Sequence, residues 1–268
     1  MRKIKKQNYK SWELYYWAYQ NVLAEDFYIP YMNQYSHNIK NDFASINILD
    51  IGCGNGGFLN AFKKTFKKSR NVDGIDIKKF SSWNNKPANY NVHNILKDNN
   101  NAYSKKYDLV ILRDVIEHID LKDKEEFMKI VAGFIKPSGE ILATFPPYLS
   151  PFGLHQQAIM KSFLKYVPYL SLIPKKILKV VIKYFESEDV WVKIEEIINS
   201  GMTISNFKKI LKNTNLKIIN DTYFTIRPSH EIRYGLKTKK SPFGHFPLVR
   251  EFLILGTCFI LKNKNSFK

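Results

Sequence analysis

Apolar positions fall into two rhythms along the 268 residues. Short apolar runs at 46–51, 71–77 and 141–145 predict buried strands, because both faces of a parallel sheet are covered. Helical spacing lies between them. Residues 58–66 predict a helix directly after the first strand. In 123–135, Phe127, Ile130, Val131 and Phe134 form one stripe, and Asp123 and Glu126 have the spacing of a capping box. A late helix is expected at 205–211, then strands at 216–226 and 252–262 with a loop, 227–235, between them. The aromatic-rich stretch 12–35 predicts one or two helices before the first strand. Its Trp12, Tyr15, Tyr16, Trp17 and Tyr19 cannot share one side, so packing on the sheet and covering a ligand compete for them. Strands alternating with helices define an α/β chain. Residues 146–202 are too long for a plain connection and read as an insertion after the fifth strand. The expected organisation is one domain: a helical segment 1–45, a core 46–145, the insertion 146–202, and a C-terminal helix and strands 203–268.

The first strand runs into Asp50-Ile51-Gly52-Cys53-Gly54-Asn55-Gly56-Gly57. Glycines there let the backbone turn sharply and approach a ligand, and the next helix presents free N–H groups to it. Gly52, Gly54 and Gly57 satisfy the dinucleotide fingerprint, but Asp50 argues for another cofactor. A carboxylate there repels a pyrophosphate and attracts an ammonium group. S-adenosylmethionine carries that ammonium group and a sulfonium. Asp76, at the end of the second strand, lies where a carboxylate can accept both ribose hydroxyl protons, a requirement common to either cofactor. A helix N-cap is the plainer role for Asp76.

On these residues the chain resembles the class I S-adenosylmethionine-dependent methyltransferases. Residues 48–56 are similar to their first motif and Asp76 to their ribose acid. Asn94 stands where the family has an acid contacting the adenine amino group; it keeps the acceptor oxygen and loses the charge. Residues 107–119, with Arg113-Asp114-Val115-Ile116-Glu117-His118, resemble the fourth-strand motif of the small-molecule branch, which includes ubiquinone-biosynthesis methyltransferases. Residues 135–142 resemble the turn into the fifth strand, and 203–219 match more loosely. The resemblance implies a doubly wound, Rossmann-like, seven-stranded sheet, with N-terminal helices and a helical lid inserted after the fifth strand. It implies a cofactor set of Asp50, Gly52, Cys53, Gly54, Gly56, Asp76, Ile77, Asn94, Arg113 and Asp114.

Composition narrows the partners. The two cysteines, Cys53 and Cys258, form neither a disulfide framework nor a metal-ligand cluster, and no metal is expected. The basic start has no apolar run behind it, so it is not a signal peptide. No run of about twenty apolar residues predicts a spanning helix, so the cytoplasm is the default location. The net charge of +18 admits nucleic acid, an anionic membrane surface or an anionic small substrate. Only six of 42 basic residues are arginine, which disfavours phosphate recognition and hence nucleic acid; an AT-rich coding bias explains the lysines equally well.

Methyl transfer to an alcohol needs alignment, a dry site and a proton acceptor. Two histidines have suitable addresses, His118 past the fourth strand and His155 in the insertion, each with a packing role as alternative. His230, with Arg227 and Arg233, reads either as the lining of an anionic acceptor pocket or as a solvated loop. Phe145-Pro146-Pro147-Tyr148 mimics the motif of amine-methylating enzymes, but it follows the fifth strand and Phe145 cannot accept a hydrogen bond. Residues 163–185 read as a lid helix or as an interfacial helix near anionic headgroups, with Pro168 and Pro174 breaking any single long helix. The activity this suggests is O-methylation of a small-molecule, glycan or lipid-linked acceptor; the rivals are an RNA methyltransferase and a non-catalytic cofactor-binding subunit. The oligomeric state has no signal in the sequence.

Overall fold

The computed structural model describes residues 1–36, 45–85 and 88–264. The part of the expected N-terminal segment at 37–44 and the last four residues lie outside that set. Helix α1 (Trp12–Leu23) passes through a π-helical turn (Ala24–Tyr28) into α2 (Ile29–Tyr35). The alternating core follows: β1 (Ile48–Ile51), α3 (Gly57–Thr65), β2 (Val72–Asp76), β3 (Asn89–Val92), β4 (Tyr107–Arg113), α4 (Lys124–Phe134) and β5 (Ile135–Phe145). The insertion carries α5 (Gln156–Ile159), α6 (Lys175–Phe185) and α7 (Glu188–Ser200). After it come α8 (Ile204–Lys212), β6 (Leu216–Ile226), α9 (Pro228–Tyr234), β7 (Lys239–Lys240), α10 (Pro247–Leu253) and β8 (Gly256–Asn263).

The sheet order is β3-β2-β1-β4-β5-β8-β6-β7. β1 to β5 run parallel and β8 returns antiparallel between β5 and β6. The sheet therefore has eight strands where seven were expected. The extra one is the two-residue β7, which pairs with Phe224 and Ile226 at the edge. Its lysines carry no apolar pattern, so nothing in the sequence announces it. The expected strand at 252–262 is shifted too: Phe252 and Leu253 end α10, and β8 begins at Gly256. The expected loop 227–235 is the helix α9, bounded by Pro228 at its first turn and Gly235 in the left-handed region at φ 73°. Pro just inside the start and Gly just past the end are a helix signature. Asp123 precedes α4, but its side chain caps nothing, so the predicted capping box does not form.

One apolar core lies on the face covered by α4 and α8, with Phe127, Val131, Phe134 and Phe207 buried on β4, β5 and β8. A second lies under α1, α2 and α3, where Tyr19, Leu23, Met32, Phe58 and Phe62 meet Ile48, Leu109, Ile111 and Ile260. The insertion has its own third core around Trp191, Leu164, Leu178, Ile182 and Ile194. Its two ends are tied together: the Tyr148 N–H donates to the Met202 carbonyl at 2.8 Å. Among the described residues no helix is long and apolar enough to cross a membrane.

Helix α1 rests directly on the start of α3. A Cβ at Gly57 would lie 2.4 Å from the Trp17 carbonyl oxygen, and Asn21 Nδ2 donates to the Gly57 carbonyl at 3.1 Å. Glycine here sets the distance between the aromatic helix and the cofactor loop. Gly57→Ala should cost about 1–3 kcal/mol through overpacking, read as a lower urea midpoint with an unchanged m-value.

Candidate active site

The loop after β1 is held open by its own geometry. Gly52 has φ +68°, and a Cβ on it would lie 2.4 Å from Val115 Cγ2, so both conformation and space demand glycine. The loop is pinned from the side. Asp76 accepts the Gly54 N–H at 3.0 Å and the Lys78 N–H at 3.1 Å; Trp83 Nε1 donates to the Gly54 carbonyl at 2.8 Å; Ser82 Oγ donates to the Asn55 carbonyl at 2.9 Å. Trp83 stacks on Tyr90 with centroids 5.3 Å apart, and the Tyr90 hydroxyl donates to the Gly56 carbonyl. These supporting residues carry no motif, and sequence reasoning passed over them.

Asp50 ends β1 beneath this loop. Its side chain is buried and, among the described residues, makes no hydrogen bond. Burial raises its pKa to about 7, against the opposing pull of Arg113 and with help from Asp76. A buried carboxyl with no hydrogen-bond partner among the described residues is chemically suited to an ammonium group. Cys53 is buried, and burial raises its thiol well above the ordinary range, so no thiolate forms there. Ile77 beside Asp76 is 65% exposed, an apolar face at the rim. Asn94 Oδ1 accepts the Leu96 N–H at 3.0 Å, and the Asn94 N–H donates to Asp98.

Arg113 and Asp114 end β4 and face a cavity of about 700 Å³. Arg113 donates to Gln20 Oε1 of α1 at 2.6 Å and lies over the Phe58 ring. Asp114 has the left-handed φ of +54°. Its carboxylate accepts from Thr144 Oγ1 at 3.0 Å and twice from Arg227 Nη2, at 2.9 and 3.0 Å. Burial would raise its pKa, but Arg227, Arg113 and Thr144 hold it down to about 2. The carboxylate is thus spent on partners within the chain.

The cavity walls come from distant parts of the sequence. Trp12, Tyr15, Tyr16 and Tyr19 of α1 form one wall, whereas Trp17 is not among them. The insertion supplies Pro146, Ser150, Phe152 and His155, and α9 supplies His230, Arg233 and Tyr234. His118 and His155, far apart in sequence, meet across the cavity with ring centroids 5.7 Å apart and nearly perpendicular. His118, exposed on the cavity side, is lowered by partial desolvation; for His155, desolvation, His118 and Arg227 together bring it to about 4. Both rings are therefore neutral at pH 7. His230, lowered to about 4 by burial, Arg227 and Arg233, is neutral as well. Arg233 lies over the Tyr19 ring, 4.6 Å from its centroid. Glu117 also lines the cavity. Neither of its buried oxygens has a partner among the described residues, and burial raises its pKa well above the usual range.

With this geometry in hand, the comparisons with known proteins are direct. The profile of the methyltransferase domain family matches residues 24–220. The ubiquinone biosynthesis O-methyltransferase of Rickettsia bellii is 28% identical over 212 residues, 76% of this chain and 79% of the relative. Two solved structures share the fold. The plantazolicin methyltransferase BpumL in complex with SAH aligns at TM-score 0.53 and 15% identity, over 92% of this chain and 85% of its own. An S-adenosylmethionine-dependent methyltransferase from Clostridium acetobutylicum aligns at 0.53 and 14%, over 91% and 92%. The chain belongs to the methyltransferase domain family. It is a class I methyltransferase, with S-adenosylmethionine as cofactor.

Asp50 must be ionised to hold an ammonium group, and its pKa without ligand is about 7. S-adenosylhomocysteine carries the same ammonium group. Its affinity should rise with pH through about 7 and level off above it, falling roughly tenfold per unit below until the lowered pKa of the complex is reached. Calorimetry from pH 5 to 8 checks this; in Asp50→Asn the slope should vanish and the affinity stay low throughout.

Proposed function

We propose that the chain methylates a hydroxyl oxygen of a small acceptor that carries an acidic group. One observation carries the reading: two neutral histidines face each other in a cavity bounded by the β4 end, α1, the insertion and α9. S-adenosylmethionine, when bound, supplies an electrophilic methyl group on a good leaving group. Asp50 would hold its ammonium group, and Asp76, already fixing the glycine loop, would use its remaining lone pairs for the ribose hydroxyls. Ile77 and Asn94 would meet the adenine edge. Gly52, Gly54 and Gly56 let the backbone close in, and Cys53 fills space between loop and β2.

His155 takes the acceptor proton, with His118 opposite to orient the ring or the hydroxyl. A histidine lowered to about 4 is a weak base, but it is unprotonated and ready at every physiological pH. The insertion and the α1 aromatics exclude water from the reacting atoms. Asp114 acts as a positioning residue that fixes Arg227 in the wall.

Charge supports an anionic acceptor. Arg113, Arg227 and Arg233 face the cavity, the carboxylate of Asp114 offsets one of them, and burial favours the neutral form of Glu117. A carboxylate or phosphate on the acceptor would complete the balance. An RNA substrate has less support. Arg2 is paired with Glu25 and Asp26, Arg250 is buried, and Arg113 and Arg227 line the cavity, so four of the six arginines do not form an outer surface for a phosphate backbone.

Methyl transfer from labelled cofactor into small molecules of a cell extract tests the reading; label confined to RNA would overturn it. With cofactor and acceptor saturating, the rate should stay level between pH 5 and 8, because His155 is not protonated there. His155→Ala should lower kcat by about 10²–10⁴-fold while S-adenosylhomocysteine affinity is kept. Arg233→Gln should raise the acceptor KM about tenfold with little change in kcat, the pattern of a lost charged contact to a non-reacting group.

A further inference from the structure

Helix α6 is apolar on two sides. Leu178 and Ile182 point into the core of the insertion and are fully buried. Ile177, Val180 and Tyr184, at i, i+3 and i+7, form a second stripe that is 57%, 69% and 81% exposed. A globular domain needs only the first. Lys176, Lys179 and Lys183 repeat the same spacing one position earlier and flank the outer stripe. The preceding turn extends the apolar surface: Phe163 is 57% exposed and packs edge-on against Phe185 at 5.1 Å, and Tyr166 is 69% exposed. Residues 160–185 hold six lysines and no acidic residue. Lys175 and Lys183 have carboxylate partners in Glu195 and Glu188; Lys179 instead lies over the Trp191 ring and Lys165 over Tyr166.

We infer that this outer face of the insertion docks on an anionic phospholipid bilayer. An exposed apolar stripe between aromatic residues and lysines matches the layering of such a surface: rings and aliphatic chains at the acyl boundary, ammonium groups among the headgroup phosphates. The lysine flank is what selects this occupant, because it gives charge complementarity to anionic lipid and would repel a second copy of the same face. The lid and interfacial readings of 163–185 are thus two faces of one helix. The inference goes beyond the methyl-transfer reading and stands apart from it, because the stripe shares no residue with the cavity.

The test is flotation of the full chain with vesicles of phosphatidylcholine, alone or mixed with phosphatidylglycerol. The chain should float with the mixed vesicles only, and less so as salt is raised. The triple variant Ile177→Ser, Val180→Ser, Tyr184→Ser should reduce the bound fraction about tenfold or more, and Lys176→Gln with Lys179→Gln should reduce it as well. S-adenosylhomocysteine affinity and thermal midpoint should be kept; if the triple variant does not fold, Tyr184→Ser alone serves. Absence of binding to the mixed vesicles, or undiminished binding by the variants, would overturn the inference. So would light scattering that shows a dimer which the Tyr184 variant dissolves.

Discussion

The ion pair between Asp114 and Arg227 joins the parts of the sheet that make the cavity. Asp114 ends β4 in a left-handed turn, Thr144 sits near the end of β5, and Arg227 follows β6. These three strand ends are held at hydrogen-bond distance by one carboxylate. Burial alone would favour its neutral form, yet two arginines and a hydroxyl keep it ionised. Left-handed backbone in a non-glycine residue costs energy, and the same contacts hold it in place.

Another carboxyl, that of Asp50 near the end of the neighbouring strand β1, is fully buried and behaves in the opposite way. Among the described residues nothing hydrogen-bonds to it, and burial outweighs the pull of Arg113, so its pKa is raised to about 7. The two acids have the same chemistry and lie on neighbouring strands, Asp50 opposite Ile111 and Asp114 just past the end of β4. Their charge states diverge because Asp114 has Arg227 at hydrogen-bond distance, whereas Asp50 has no ion pair among the described residues. Arg113 lies between the two acids, 3.5 Å from Asp114 and close enough to Asp50 to oppose the effect of its burial.

The insertion works as a wall because it has its own core. Trp191, Leu178 and Ile194 hold its helices together without drawing on the sheet. Its two ends close on each other where it leaves and rejoins the domain: a Cβ at Gly201 would strike the Tyr148 ring at 2.5 Å, and the Tyr148 amide pairs with Met202. Pro146, of the proline pair that mimics an amine-methylation motif, belongs to the cavity wall. The aromatic helix α1 closes the other side, where Tyr15, Tyr16 and Tyr19 face the cavity while the Trp17 carbonyl abuts Gly57.

The local code of the chain determined the strands β1, β2 and β5, the helices α3, α4 and α8, the turn at Gly52 and the acids that close the first two strands. Each rests on apolar spacing or on backbone freedom, which neighbouring residues alone specify. The two prolines that divide 163–185 acted as expected, leaving short turns before α6. Tertiary structure decided the rest. It gave the lysine pair of β7 a strand partner, turned 227–235 into a helix, and brought His118 to His155. It joined Arg227 to Asp114 across 113 positions of sequence and left the Glu117 carboxyl without a hydrogen-bond partner among the described residues. Burial and pairing are properties of neighbours in space. The same aspartate is half-neutral or fully charged according to which arginine the fold delivers to it, and no window of sequence contains that information.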